Sequence, residues 1–275
     1  MTTERPVLFD IQAVRAVRAR ARRIAGDRFL EQAALEGLCD RLAAITRRFQ
    51  RGMWIGETLP SQMRSFAESW TLADFDDREV LDWGAAPFDL AISLYSLQAI
   101  NDLPGALIQI RRALKPDGLF LAALFGGETL HELRESFAVA EAEISGGISP
   151  RVSPFADVRD MGALLQRGGF ALPVADVERL QVRYRDFASL VRDLRAHGQS
   201  NALSARRRRF LGRGILEALT ANYSARYAHD GKLNATFETL YLTGWAPDQG
   251  QQQPLKPGSA RTRLSDALGT VERKV

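Results

Sequence analysis

The chain has 275 residues, 45% of them hydrophobic and 25% charged, with a formal net charge of +4. That size suits one large α/β domain, with a core that needs neither disulfides nor metals. Its single cysteine, Cys39, excludes an intrachain disulfide and fits a reducing, cytoplasmic setting. No apolar run reaches the roughly 18–20 residues that span a bilayer, and no apolar signal core opens the chain.

The charge is uneven. Residues 1–51 hold eleven arginines against six acids, and Arg206–Arg209 form a second basic run. Residues 11–25, IQAVRAVRARARRIA, are acid-free. They read as a presequence or as a basic helix of the fold. Neither basic stretch comes with an aromatic platform or nucleic-acid motif, so no nucleic-acid partner is expected. Residues 11–49 are predicted to form two helices broken at Gly26-Asp27, with Asp27 as a cap. Cys39 falls on the second and reads as a packing residue.

Residues 51–55 form a short apolar segment ending at Gly56, and residues 61–69 a short helix from Ser61. Residues 70–74 and 79–83 are strand candidates. FDLAISLY at 88–95 is a nearly continuous apolar strand, of the kind parallel sheets bury on both faces. A helix over 104–114 stops at Lys115-Pro116-Asp117-Gly118, and residues 119–125 make another buried strand. Helices are predicted at 128–144 and 158–167, and strands at 172–177 and 235–245. Residues 186–230 read as a mostly helical insertion, and the stretch from 248 as a flexible tail rich in Gln, Pro and Gly. The predicted domains are an N-terminal helical segment (1–50), a core domain (51–247) and the tail (248–275). Alternating strands and helices predict a doubly wound, mostly parallel sheet, with room for an antiparallel last strand at its end. No His, Cys, Asp or Glu spacing predicts a metal site.

Four blocks carry a resemblance: residues 88–124, GGETLHELRESF (126–137), ISPRVSPFADVRDMGALLQRGGF (148–170) and NATFETLYLTGWAP (234–247). With LFDIQAVRAVRARARR near the start, they resemble the methyltransferase-fold complex I assembly factors of mitochondria (assembly factor 5-like) and their alphaproteobacterial homologues. A more distant likeness is to the malonyl-carrier-protein methyltransferase of biotin synthesis. The resemblance covers most of residues 7–247. It weakens the presequence reading, because the family pattern includes the basic helix. It implies a Rossmann-like class I methyltransferase fold of seven strands with the last antiparallel. It also implies an S-adenosylmethionine (SAM) pocket at the carboxyl ends of the first strands.

A SAM site needs a glycine turn that lets backbone approach the ligand, and an acid to bind the ribose hydroxyls. Gly56 matches the family's first glycine. Trp54 stands where the family has an acid, and Thr58 and Pro60 where it has its second and third glycines. Pro60 fixes φ and removes a donor. Only 32 positions separate Gly56 from Phe88, so one βα unit is expected to be trimmed. Asp74 is the candidate ribose acid and Asp77 the candidate adenine contact; both also read as exposed loop acids. Leu97 opens the turn after strand 88–95, where the family carries Leu-His-Trp. Here it is Leu97-Gln98-Ala99, and Gln98 cannot act as a general base. Asp102 reads as a helix cap or a polar site residue. Arg151, Ser153 and Asp157 read either as partner-facing or as loop packing.

Three functions follow. The first is a SAM-dependent methyltransferase acting on a protein or carrier-protein substrate and linked to complex I assembly. The second is a catalytically degenerate assembly or binding protein on the same scaffold. The third, by analogy with the mitochondrial relative, is hydroxylation of an arginine in a complex I subunit. The expected partner is a complex I subunit, with peripheral membrane contact and no transmembrane segment.

Overall fold

The computed structural model describes residues 7–84 and 87–251. Its strands are β1 (Phe49–Ile55), β2 (Ala67–Ala73), β3 (Phe88–Leu94), β4 (Leu114–Phe125), β5 (Ala171–Tyr184), β6 (Ala228–His229) and β7 (Lys232–Trp245). They form one sheet of order β2-β1-β3-β4-β7-β5, with the two-residue β6 pairing with β7. Pairs β1/β2, β1/β3 and β3/β4 are parallel. β7 is antiparallel to both β4 and β5.

The helices are α1 (Ile11–Ala21), α2 (Phe29–Ala43), α3 (Leu103–Ala113), α4 (His131–Ser145), α5 (Val158–Arg167), α6 (Phe187–Ala196) and α7 (Arg213–Tyr227). β3 and the second half of β4 are apolar on both faces because both faces are covered. On one face Leu107 and Ile110 of α3 and Met161 and Leu165 of α5 pack on Ile55, Phe120 and Leu242. On the other, Leu35, Leu38 and Leu42 of α2 pack on Trp54, Leu90, Ile92 and Leu121. Gly37 is needed there: any β-carbon would run into the Tyr241 ring. A third cluster joins α4, α6 and α7 to the far ends of β5 and β7 through Leu133, Leu190, Leu219 and Phe237. Buried Asp89 ties β1 to β3. It accepts from Gln50 N (2.9 Å), Arg51 N (2.8 Å) and Lys115 Nζ (3.1 Å). Burial alone would raise its carboxyl, but these donors hold it below the ordinary range.

Several expectations need correction. β7 does not lie at the end of the sheet; it is inserted between β4 and β5, and β5 is the edge. Residues 79–83 are no strand. Only an isolated antiparallel bridge joins Phe75 to Leu81, and Glu79 adopts a left-handed φ of 59°. That turn aims the Glu79 carboxylate at Asn101 N (2.6 Å) and Asp102 N (2.7 Å), at the start of α3. The seventh strand is therefore the short β6. β1 crosses to β2 through a six-residue 3₁₀ helix, Ser61–Phe66. Among the described residues no helix lies between β2 and β3, so the trimming read from the short spacing is present. Asp27 is not the cap of α2: the N-cap is Arg28, whose Nη2 donates to Ala21 O (3.0 Å) to hold the turn. The insertion is helical only in α6 and α7, with irregular chain between them. All of the predicted tail beyond residue 251 lies outside the described residues.

Candidate active site

The carboxyl ends of β1, β2 and β3 open onto one cleft of about 630 Å³, within the usual range for small-molecule sites. Its near wall is the turn after β1. Gly56 has φ +150°, and a β-carbon there would stand 3.1 Å from Trp54 Nε1 and 3.4 Å from Ser96 Oγ. Gly56 N donates to Ala73 O (2.8 Å), and Ser96 Oγ donates to Ile55 O (2.8 Å). The ends of β1, β2 and β3 are thus fastened together beneath the cleft.

The roof is α1. Its basic residues form a stripe, because positions three, four and seven apart share a helix face. Arg15 pairs with Asp77 (2.8 Å), Arg18 Nη2 donates to Ser96 O (3.2 Å), and Arg22 pairs with Glu57. Each arginine reaches the loop after a different strand. Read from sequence, this stripe belonged to a presequence or to a basic helix of the fold.

Aromatic residues make the far wall. Tyr95 follows β3 with a left-handed φ of 52°, a strained backbone for a bulky residue. Its ring stacks on Phe125 (4.2 Å), and its hydroxyl bonds Thr239 Oγ1 (2.9 Å). Burial pushes the phenol well above its ordinary value, so it stays neutral. Phe155 lies edge-on to Phe125 (5.8 Å). Phe155 also borders an apolar groove of about 480 Å³ bounded by Leu8, Pro150, Val152, Pro154 and Leu203.

The insertion and α2 close the back. His197, buried at the end of α6, bonds Glu31 Oε2 through Nδ1 (2.5 Å). Its Nε2 lies 3.7 Å from Asp193 Oδ1, and Tyr184 donates to Asp193 Oδ2 (2.5 Å). Gln98 Nε2 donates to Gln199 Oε1 (3.2 Å), while Gln98 Oε1 is buried with no hydrogen-bond partner.

Of the candidates read from sequence, Gly56 and Asp74 line this cleft together. Asp77 does not line it; it is held by Arg15 on the outer side of α1. Leu97 is buried in the packing beneath, and its neighbours Ser96, Gln98 and Ala99 supply the lining. Of Arg151, Ser153 and Asp157, only Ser153 lines the cleft. Arg151 is tied to buried Glu141, and Asp157 caps α5 through Arg159 N (2.8 Å). Asp102 accepts from Gly105 N (3.1 Å) as the cap of α3. Cys39 is half-buried on α2, and burial raises its thiol, as befits a packing residue. Tyr95, Glu31, His197 and Gln199 went unread. They come from distant segments, and no local spacing announces them.

A doubly wound sheet with one antiparallel strand set into it, open at the carboxyl edge beside a glycine turn, defines the class I methyltransferase fold. The family described as Methyltransferase domain matches residues 60–122. A solved candidate methyltransferase from Bacillus halodurans superposes with TM-score 0.50 at 12% identity, covering 77% of this chain and 98% of that one. The resemblance read from sequence is borne out by closer relatives. Arginine-hydroxylase NDUFAF5, mitochondrial, of Danio rerio is 44% identical over 191 residues, 69% of this chain and 59% of its own length. Malonyl-[acyl-carrier protein] O-methyltransferase of a Methylovorus strain is 38% identical over 196 residues, 71% of this chain and 60% of its own. The matched regions thus span about three fifths of these relatives' own length.

Proposed function

We propose that the protein is a SAM-dependent methyltransferase-like protein acting on a protein partner, and that it serves respiratory complex I assembly. The observation that carries this reading is the pairing of Gly56 and Asp74 on one cleft at the carboxyl edge of a methyltransferase-fold sheet. In this reading the Gly56 turn would hold the cofactor through its backbone, and a β-carbon there would already press on Trp54 Nε1. Asp74 accepts from the ribose hydroxyls. Asp77 would contact the adenine only by leaving its pair with Arg15 outside the cleft, and buried Leu97 sets the backbone of the turn after β3. When bound, the cofactor supplies an electrophilic methyl group on a sulfonium. The chain's own part is then to position the acceptor against it, with Tyr95 and Phe155 excluding water.

The fit is incomplete. Thr58 and Pro60 replace two glycines, and a 3₁₀ helix, not an α-helix, follows the turn. A second reading, hydroxylation of a partner arginine, is supported by the likeness to the mitochondrial arginine-hydroxylase relatives. The third, an assembly protein without catalysis, is supported by the altered turn. Calorimetric titration with SAM and S-adenosylhomocysteine separates the first reading from the other two. Binding in the micromolar range is expected, and no binding at high micromolar ligand removes methyl transfer. Mass spectrometry of complex I subunits from a deletion strain then tests the second; an unchanged arginine mass removes it. The lone cysteine supports a bacterial cytoplasmic setting. Among the described residues no helix is long and apolar enough to cross a membrane.

A further inference from the structure

The chain between α6 and α7 carries a feature that the cleft does not use. Residues 206–213 read RRRRFLGR, five arginines with no acid. Phe210 stands in the middle with 104% relative exposure, more than any other large apolar residue described. Such exposure means that nothing in the fold lies beneath the ring. Arg206 is the anchor: it pairs with Asp10 (2.9 Å) and donates to Leu203 O (2.8 Å). Arg208 reaches the same carboxylate at 3.6 Å but stays largely exposed. No ion pair holds Arg207 or Arg209 among the described residues, and both are exposed.

The same anchor brings a second apolar group alongside. Ser204 N donates to Leu8 O (2.9 Å), Asp10 N to Ala202 O (2.9 Å), and Phe9 bridges Leu203. This short ladder presents Val7 at 64% and Leu8 at 45% exposure beside the arginines. Free guanidinium groups next to exposed apolar side chains make the pairing that an anionic lipid surface accepts. The cations meet headgroups, and the apolar groups enter the acyl boundary without needing a shaped pocket. A protein partner would have to offer Phe210 a socket, and would gain little from a ring that protrudes alone.

We propose that Arg207, Arg208, Arg209 and Phe210, flanked by Val7 and Leu8, dock the protein on an anionic membrane surface. Leu8 and Leu203 also border the groove that meets the main cleft at Phe155. Docking would therefore set the mouth of that groove at the lipid interface. The inference does not depend on which reaction the cleft performs.

The test is sedimentation of the full chain with vesicles of phosphatidylcholine alone or mixed with phosphatidylglycerol. Binding is expected only to the mixed vesicles, falling as salt rises. Each arginine removed should weaken it about fivefold, so R207S/R209S should lose about twenty-fivefold. F210S should weaken binding while leaving its salt dependence. All the substituted side chains are exposed, so unchanged thermal melts will show that the variants fold. Equal binding to both vesicle types, or no response to either variant, overturns the proposal. So does failure to bind any vesicle while polyglutamate binds through the same arginines, since that marks an acidic protein partner.

Discussion

At Gly56 the backbone sits at φ +150°, with Trp54 Nε1 3.1 Å from where a β-carbon would stand. Gly56→Ala should cost about 1–3 kcal/mol in stability through backbone strain. It should also abolish any S-adenosylhomocysteine affinity seen by calorimetry in the parent protein. Glu141 offers a pH test. Burial raises its carboxyl, but Ser149 and then Arg151 outweigh this, and the folded value lies below the ordinary one. Its contribution is therefore complete above the unfolded pKa and is lost as pH falls through the folded value. Arg151→Ala should cost about 3–5 kcal/mol near neutrality, because it strands a buried carboxylate. The gap from wild type should narrow in acid, where Glu141 is protonated in both proteins; urea melts at neutral and acidic pH will show this. Sequence spacing located Gly56 and Asp74 because a strand end followed by glycine or an acid is a local pattern. It could not separate Arg151 from Ser153, since their roles depend on Glu141 and on the cleft wall, both remote along the chain.

Among the elements, α1 has the role least visible in sequence. An acid-free run of arginines spaced along one helix face looks the same whether it faces water or three strand-end loops. What decides is the position of Glu57, Ser96 and Asp77, which only the folded sheet fixes. The side chains of the two ion pairs are about half exposed, and such pairs contribute roughly 0–1 kcal/mol each. We therefore expect Arg15→Ala with Arg22→Ala to leave the global melting temperature nearly unchanged. Hydrogen exchange should nonetheless quicken in α1 alone, and high salt should reproduce the effect in the parent protein. The buried strands were the opposite case. FDLAISL and LFLAALF are apolar on both faces, so composition alone gave their type and nearly their carboxyl ends. It missed the start of β4 at Leu114, because Lys115-Pro116-Asp117-Gly118 reads as a turn and is in fact strand. The segment before β3 misled because residues 79–83 have strand-like composition, while a left-handed Glu79 spends them on a turn.

For the whole molecule, β4 and β7 contribute residues to all three core clusters. The N-terminal segment, the sheet and the insertion therefore share one packed centre, although the sequence divided them. One cooperative unfolding transition is expected, coincident by circular dichroism and tryptophan fluorescence. Leu121→Ala should lower its stability by about 2–5 kcal/mol without splitting it. Parallel order and helical cover were legible from alternation. The place of β7 was not, because nothing local says whether a final strand caps an edge or fills a gap. That placement matters during synthesis. While residues 232–245 are still inside the ribosome, β4 and β5 lack the strand that lies between them, and both emerge with a bare hydrogen-bonding edge. The nascent chain must then wait, with its middle open, for its last strand to arrive, and a chaperone that shields strand edges would find its target in that interval.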